Sequence, residues 1–268
     1  MSGPWAGKWA LVTGASAGIG VALARELAAG GTNLVLTARR KERLEKLAQD
    51  LSSAYKIRVE AFAADLAQTD APQQVFAYTL AKNITIDLLI NNAGFGAYGA
   101  LATVQTQRLL DMVQVNCSAV MHLTRLYLPQ MLKQRRGDVL IVASTASFQA
   151  VPFISTYAAT KAFDLLFAEG LAEEVKPHGV RVCALCPGST ESEFHEVAGQ
   201  SGWAAARKNR ETAEKVARVG LRALAAGKSY VISGVGNYLG AHSQRLVPRR
   251  VVARVAAKMF RPPAGEPA

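Results

Sequence analysis

Only three cysteines occur in the chain, Cys117, Cys183 and Cys186, too few and odd in number for a disulfide framework, so a reducing, cytoplasmic setting is expected. The four histidines, His122, His178, His195 and His242, are scattered without ligand spacing, and no metal site is predicted. No run reaches the roughly 18 apolar residues that a membrane span requires. The stretch 10–30, which could mimic a signal core, is broken by glycines and charges. Acidic residues nearly vanish late in the chain: residues 201–268 carry 13 Lys/Arg against 3 Asp/Glu, whereas residues 1–200 carry 18 against 17. The net charge of +11 therefore belongs to the C-terminal segment. That basic tail lacks interleaved aromatics for base stacking, which argues against nucleic acid as a partner.

What the 268 residues do have is a half-hydrophobic composition, enough to fill a substantial core. Short apolar, β-branched runs at 8–13, 33–37, 57–62, 87–91, 138–143 and 180–186 read as strands, with a last one near 229–233. Helical patterns lie between them at 19–29, 42–54, 71–82, 105–133, 156–176 and 212–226. Such alternation predicts an α/β fold, a doubly wound parallel sheet with helices on both faces. With no repeat or linker in sight, one domain over 1–240 is expected, followed by a basic C-terminal extension over 241–268.

The first strand runs into Thr13-Gly14-Ala15-Ser16-Ala17-Gly18-Ile19-Gly20 and then a helix. Glycines allow a tight turn and close approach of a pyrophosphate, and the free amides at the helix start favour its charge. Gly14, Ser16, Ala17, Gly18, Ile19 and Gly20 are thus candidate dinucleotide contacts in a Rossmann-type arrangement. About 20 residues on, where a carboxylate would grip a ribose 2′-hydroxyl, the chain has Arg39 and Arg40. Two guanidiniums suit a 2′-phosphate, so NADP(H) is predicted over NAD(H), with Arg39 the better contact of the two.

Three more elements fall at strand ends: Asn91-Asn92-Ala93-Gly94, Ser144, and Tyr157-Ala158-Ala159-Thr160-Lys161 opening a helix. Ligands of open parallel sheets sit at that edge. Tyr157 and Lys161, four apart, share a helical face. In this ordered set the sequence resembles the short-chain dehydrogenase/reductase family over residues 8 to 235, with its long-chain β-ketoacyl and hydroxysteroid reductase branches the most similar. The resemblance implies a catalytic tetrad of Asn116, Ser144, Tyr157 and Lys161. It also implies adenine contacts at Asp65 and Leu66, further cofactor contacts at Asn92, Ala93, Gly94, Tyr157, Lys161, Pro187 and Gly188, and a homodimer or homotetramer. Where the family places a threonine four residues after Gly188, this chain has Ser192, and Thr190 is the alternative contact for the nicotinamide carboxamide.

A tyrosine with its ordinary pKa of roughly 10 needs a neighbouring cation to shuttle protons at neutral pH, and Lys161 supplies one. Tyr157 then gives a proton to a ketone while hydride arrives from the nicotinamide, or takes one in the reverse, oxidative direction. A non-catalytic NADP-binding protein at a membrane would have no need of the full tetrad. The resemblance further implies that Lys161 binds the nicotinamide ribose and that Asn116 holds a water. The substrate pocket is assigned to 95–101, 147–154 and 191–205, which does not identify the small-molecule ketone; the resemblance to the β-ketoacyl and hydroxysteroid reductase branches implies an apolar, lipid-like one.

Cys183 and Cys186 have C-x-x-C spacing, but in a strand residues three apart face opposite sides, so they read as buried apolar groups. From Pro248 the tail predicts an amphipathic helix, with Arg250, Arg254 and Lys258 beside a stripe of Val251, Val252, Val255 and Met259. Its apolar face either docks on the domain or a partner subunit or, through 245–262, lies on an anionic membrane surface.

Overall fold

The computed structural model describes residues 3–199 and 210–262. Seven strands, β1 Trp9–Thr13, β2 Asn33–Ala38, β3 Val59–Ala63, β4 Leu88–Asn91, β5 Gly137–Val142, β6 Val180–Cys186 and β7 Tyr230–Ile232, form one sheet. Its order is β3-β2-β1-β4-β5-β6-β7, and every pairing is parallel. Parallel neighbours need crossovers, and helices supply them: α1 Gly18–Ala29, α2 Lys41–Tyr55, α3 Ala71–Ala81, α4 Thr106–Val113, α5 Ala119–Gln134 and α6 Ser155–Val175. After β6 come α7 Phe194–Val197, α8 Ala213–Ala225, α9 Val235–Ser243 and α10 Arg249–Phe260.

The two-residue period of the strands divides the core into two layers. Leu11, Val35, Leu89 and Ile141 pack with Val75, Leu123, Tyr127 and Leu165 from α3, α5 and α6. Their neighbours Ala10, Val12, Leu34, Leu36 and Ile90 pack with Leu23, Leu27, Leu44 and Val216 from α1, α2 and α8. Cys183 falls in the second layer and Cys186 in the first, both buried, as the strand period requires. The order of winding reverses between β1 and β4, which leaves a crevice above their C-terminal ends. At the sheet's opposite end, the Trp5 indole donates to Asp138 Oδ2 at 2.7 Å, and Arg181 holds both oxygens of that carboxylate at 2.6 and 2.9 Å.

Three features depart from the sequence expectation. The helix expected over 105–133 is interrupted by a π-helical turn, Gln114–Ser118, between α4 and α5. A single five-residue π turn is too short to stand out from the α-helical pattern on either side of it. Helix α9 has no counterpart among the expected elements; Gly234, at φ 86°, forms the entrance to it. The tail forms its helix, α10, but turned from the expected orientation. Ala256 and Phe260 dock with Val151, Ala158 and Ile154, while Val251, Val255 and Met259 of the named stripe stay exposed.

Candidate active site

The crevice opens into a cleft of about 700 Å³. One end is the turn from β1 into α1. Gly14 (φ 65°) and Gly20 are required by space: a Cβ on Gly20 would lie 2.3 Å from the Gly14 carbonyl oxygen, and one on Gly14 would lie 2.8 Å from Ala93 Cα. The Asn92 amide braces the turn by donating to the Thr13 and Gly14 carbonyls at 2.8 and 3.3 Å. Ala17 precedes α1 with no side-chain cap, so the first amides of the helix face the cleft without an internal acceptor.

Beside the turn, the Arg40 guanidinium donates to Ser16 Oγ at 3.2 and 3.3 Å and to Glu193 at 2.7 Å. Arg43 donates to the other oxygen of Glu193, also at 2.7 Å. These two cations hold the Glu193 carboxyl below its ordinary value, through their hydrogen bonds above all. Arg39 lines the cleft and is exposed, while the carboxylate contact seen here is made by Arg40 and Arg43. Asp65 and Leu66 line the same end, with Asp65 Oδ1 accepting from the Ala67 amide at 3.1 Å.

The middle of the cleft gathers Ser144, Tyr157 and Lys161. Ser144 lies two residues after β5 and caps the turn Thr145–Phe148, accepting from the Ala146 amide at 3.1 Å. Tyr157 and Lys161 lie on the first turns of α6. The Lys161 ammonium is buried and donates to the Val142 carbonyl at 2.8 Å and to Asp164 Oδ2 at 2.9 Å. Gly94 faces it: a Cβ there would come within 3.2 Å of both Lys161 Nζ and Asn116 Oδ1. Asn116, in the π turn, donates to the Phe95 carbonyl and to Thr160 Oγ1, each at 3.0 Å, and accepts from the Phe95 amide at 3.1 Å. Burial pushes the Tyr157 phenol up, the Lys161 cation and a hydrogen bond with Ser144 pull it down, and the balance stays upward. The pull expected from Lys161 is therefore present but outweighed. Burial also works against the Lys161 cation, yet Asp164 and Tyr157 together hold its pKa above the ordinary lysine value.

Pro187, Gly188, Thr190 and Ser192 close the cleft from the β6 side. Thr190 is buried and its hydroxyl donates to the Gly188 carbonyl at 3.1 Å, while Ser192 Oγ accepts from the Phe194 amide at 3.3 Å. The far wall is apolar, with Phe95, Ile154, Phe194, Val197 and Phe260. Phe194 lies 5.2 Å from Tyr157, ring centre to ring centre, and Tyr98 donates to the Phe260 carbonyl at 2.9 Å.

The family model for short chain dehydrogenases matches residues 8–201, the span that carries the glycine turn, Ser144, Tyr157 and Lys161. The chain belongs to that family. A very-long-chain 3-oxoacyl-CoA reductase of Phaeosphaeria nodorum is 38% identical over 180 residues, 66% of this chain and 53% of the relative. The Bos taurus protein of the same description is 33% identical over 189 residues, 69% of this chain and 60% of the relative. This short-chain dehydrogenase thus spans little more than half the length of the curated relatives it matches. Among solved structures, a short-chain dehydrogenase from Sphingobium yanoikuyae in complex with NADPH superposes with a TM-score of 0.81 at 28% identity, covering 96% of this chain and 97% of that one. A 7beta-hydroxysteroid dehydrogenase gives a TM-score of 0.85 at 26% identity, covering 94% and 98%.

Within this family member, sequence reasoning passed over Asp164, Glu193, Arg43 and Phe260. Asp164 carried a signal, since an acid three residues after Lys161 shares its helical face. Glu193 carried none, lying 153 residues from Arg40. Positions 200–205 of the expected pocket lie outside the described residues.

Proposed function

We propose that this chain is a carbonyl reductase that uses NADPH to convert an apolar, lipid-derived ketone into a secondary alcohol. The observation that carries the reading is the convergence of Ser144, Tyr157 and Lys161 in one cleft with the Gly14–Gly20 turn. The residues fit a dinucleotide: the glycines leave the room that side chains would fill, and the α1 amides favour a pyrophosphate. Guanidiniums at the end of β2, already gripping a carboxylate, favour NADP(H) over NAD(H). The bound nicotinamide supplies the hydride. Ser144 hydrogen-bonds the substrate carbonyl and orients it. Tyr157 gives its phenolic proton to the same oxygen, and Lys161 stabilises the phenolate left behind. In the reverse direction the same groups oxidise an alcohol; cofactor ratio and substrate set which way the reaction runs, and a protonated phenol is the form that donates to a carbonyl.

The apolar far wall and the 3-oxoacyl-CoA reductase relatives support a long-chain 3-oxoacyl thioester or a steroid-like ketone as substrate. NADPH oxidation measured with 3-oxoacyl thioesters, ketosteroids and simple ketones, with NADH as comparison, tests this. Turnover with none of them, or equal turnover with NADH, overturns it.

Two assignments accompany this one. The catalytic unit is residues 1–240, and 241–268 form an extension that contacts an anionic membrane surface from the cytoplasmic side. Exposed Leu246, Val251, Val255 and Met259 beside Arg250, Arg254 and Lys258 support it. No helix among the described residues is long and apolar enough to cross a membrane. Self-association through α4, α5 and α6 is supported by exposed Leu110, Val113, Met121, Phe163 and Leu166.

A further inference from the structure

The chemistry above leaves one buried charge at its centre unused. Asp164 is 0% exposed and lies one turn beyond Lys161 on α6. Its Oδ2 accepts from the Lys161 ammonium at 2.9 Å, while its Oδ1 is buried without a hydrogen-bond partner among the described residues. Asp164 and Lys161 form a buried ion pair with one carboxylate oxygen left over, so the carboxylate carries a desolvation cost that its single hydrogen bond offsets only in part. The unpartnered oxygen calls for an explanation.

The groups around it supply one. Lys161 and Tyr157 face it from α6 itself, Cys117 faces it from the π turn, and Cys186 on β6 acts on the same lysine. Burial pushes the Cys117 thiol up to about 11 and the Cys186 thiol higher, so both are neutral near pH 7. Burial raises Asp164 only to about 6, which leaves it the anion of the cluster at neutral pH. Lys161 draws Tyr157 toward phenolate, and Asp164 acts on the same phenol in the opposite sense.

We propose that Asp164 is a positioning residue: as the buried counter-ion of Lys161, 2.9 Å from its ammonium, it offsets part of the cation's pull on Tyr157 and keeps the phenol in its proton-donating form. The proposal rests on the assignment of Tyr157 as the proton donor.

The test is a near-ultraviolet absorbance titration of phenolate, with the Tyr157 signal isolated by subtracting the matching Tyr157→Phe protein. In Asp164→Asn the Tyr157 phenolate is expected at a pH lower by about one unit or more than in the wild type. Coincident titrations overturn the proposal, as does the lack of any Tyr157 phenolate in the variant at every pH where it stays folded. If Asp164→Asn does not fold, Asp164→Ser, smaller and also neutral, is read in the same way. Turnover of Tyr157→Phe tests the underlying assignment separately. Full activity there with a shifted titration removes the proton-donor role alone, whereas lost activity with coincident titrations removes the role of Asp164 alone.

Discussion

Replacing Glu193 by Gln should tighten NADPH binding and leave NADH nearly untouched. In the structure Glu193 holds Arg40 and Arg43 at 2.7 Å each, where a 2′-phosphate would have to take its place. The partners are 40% to 52% exposed, so solvent screens the pairs, and each is worth only ~0.2–1 kcal/mol. Releasing both therefore yields roughly 0.5–2 kcal/mol, or about a 2- to 30-fold fall in the NADPH dissociation constant. NADH has no 2′-phosphate to compete for these cations and should change by less than about twofold. Fluorescence titration of both nucleotides into both proteins reads the two numbers directly. The sign with pH follows from the depressed carboxyl: the tie is present above the ordinary glutamate range and is lost as pH falls through the lowered value. Wild type and variant should thus converge only in acid. An equal gain for NADH, or none for NADPH, would refute the placement of the 2′-phosphate on Arg40 and Arg43.

Further outcomes follow from single contacts. Gly20→Ala places a Cβ 2.3 Å from a backbone carbonyl and should weaken NADPH binding by more than about tenfold in the same titration, as the turn must open. Gly94→Ala crowds Lys161 Nζ and Asn116 Oδ1 at 3.2 Å and should lower kcat by roughly tenfold, with a smaller change in nucleotide affinity. Trp5→Phe removes the indole donor to Asp138, which keeps its Arg181 contacts, and should cost about 1 kcal/mol, or about 2–4 °C in Tm by calorimetry. Removing residues 245–268 uncovers Val151 and Ala158 and deletes the exposed basic-apolar face, so flotation with anionic vesicles should be lost. Equal flotation of both forms would discard the membrane role.

How far the molecule is legible in its sequence depends on the range of the interaction. All seven strands were readable because each is a short apolar run, but their order in the sheet was not, since strand pairing joins segments distant in sequence. Gly14, Ser144, Tyr157 and Lys161 were readable because strand ends deliver them to one edge. The π turn at Asn116 was not, since five residues of π geometry are too few to stand out from the helical pattern on either side. The Glu193 contacts were not, because they join segments distant in sequence whose approach is set by the fold. The tail helix was foreseen, but its rotation depended on the small Ala256 fitting against Val151 and Ala158, a matter of shape that hydropathy does not report.

The central claim is that the Tyr157 phenol delivers the proton while Lys161 and Ser144 hold the charge and the carbonyl. The most direct measurement is steady-state NADPH oxidation by wild type and Tyr157→Phe on the most active ketone, with Tm recorded to show that both are folded. The variant, which lacks only a hydroxyl, should lose about 10²- to 10⁴-fold in kcat with little change in NADPH affinity. Turnover within a few fold of wild type would contradict the account.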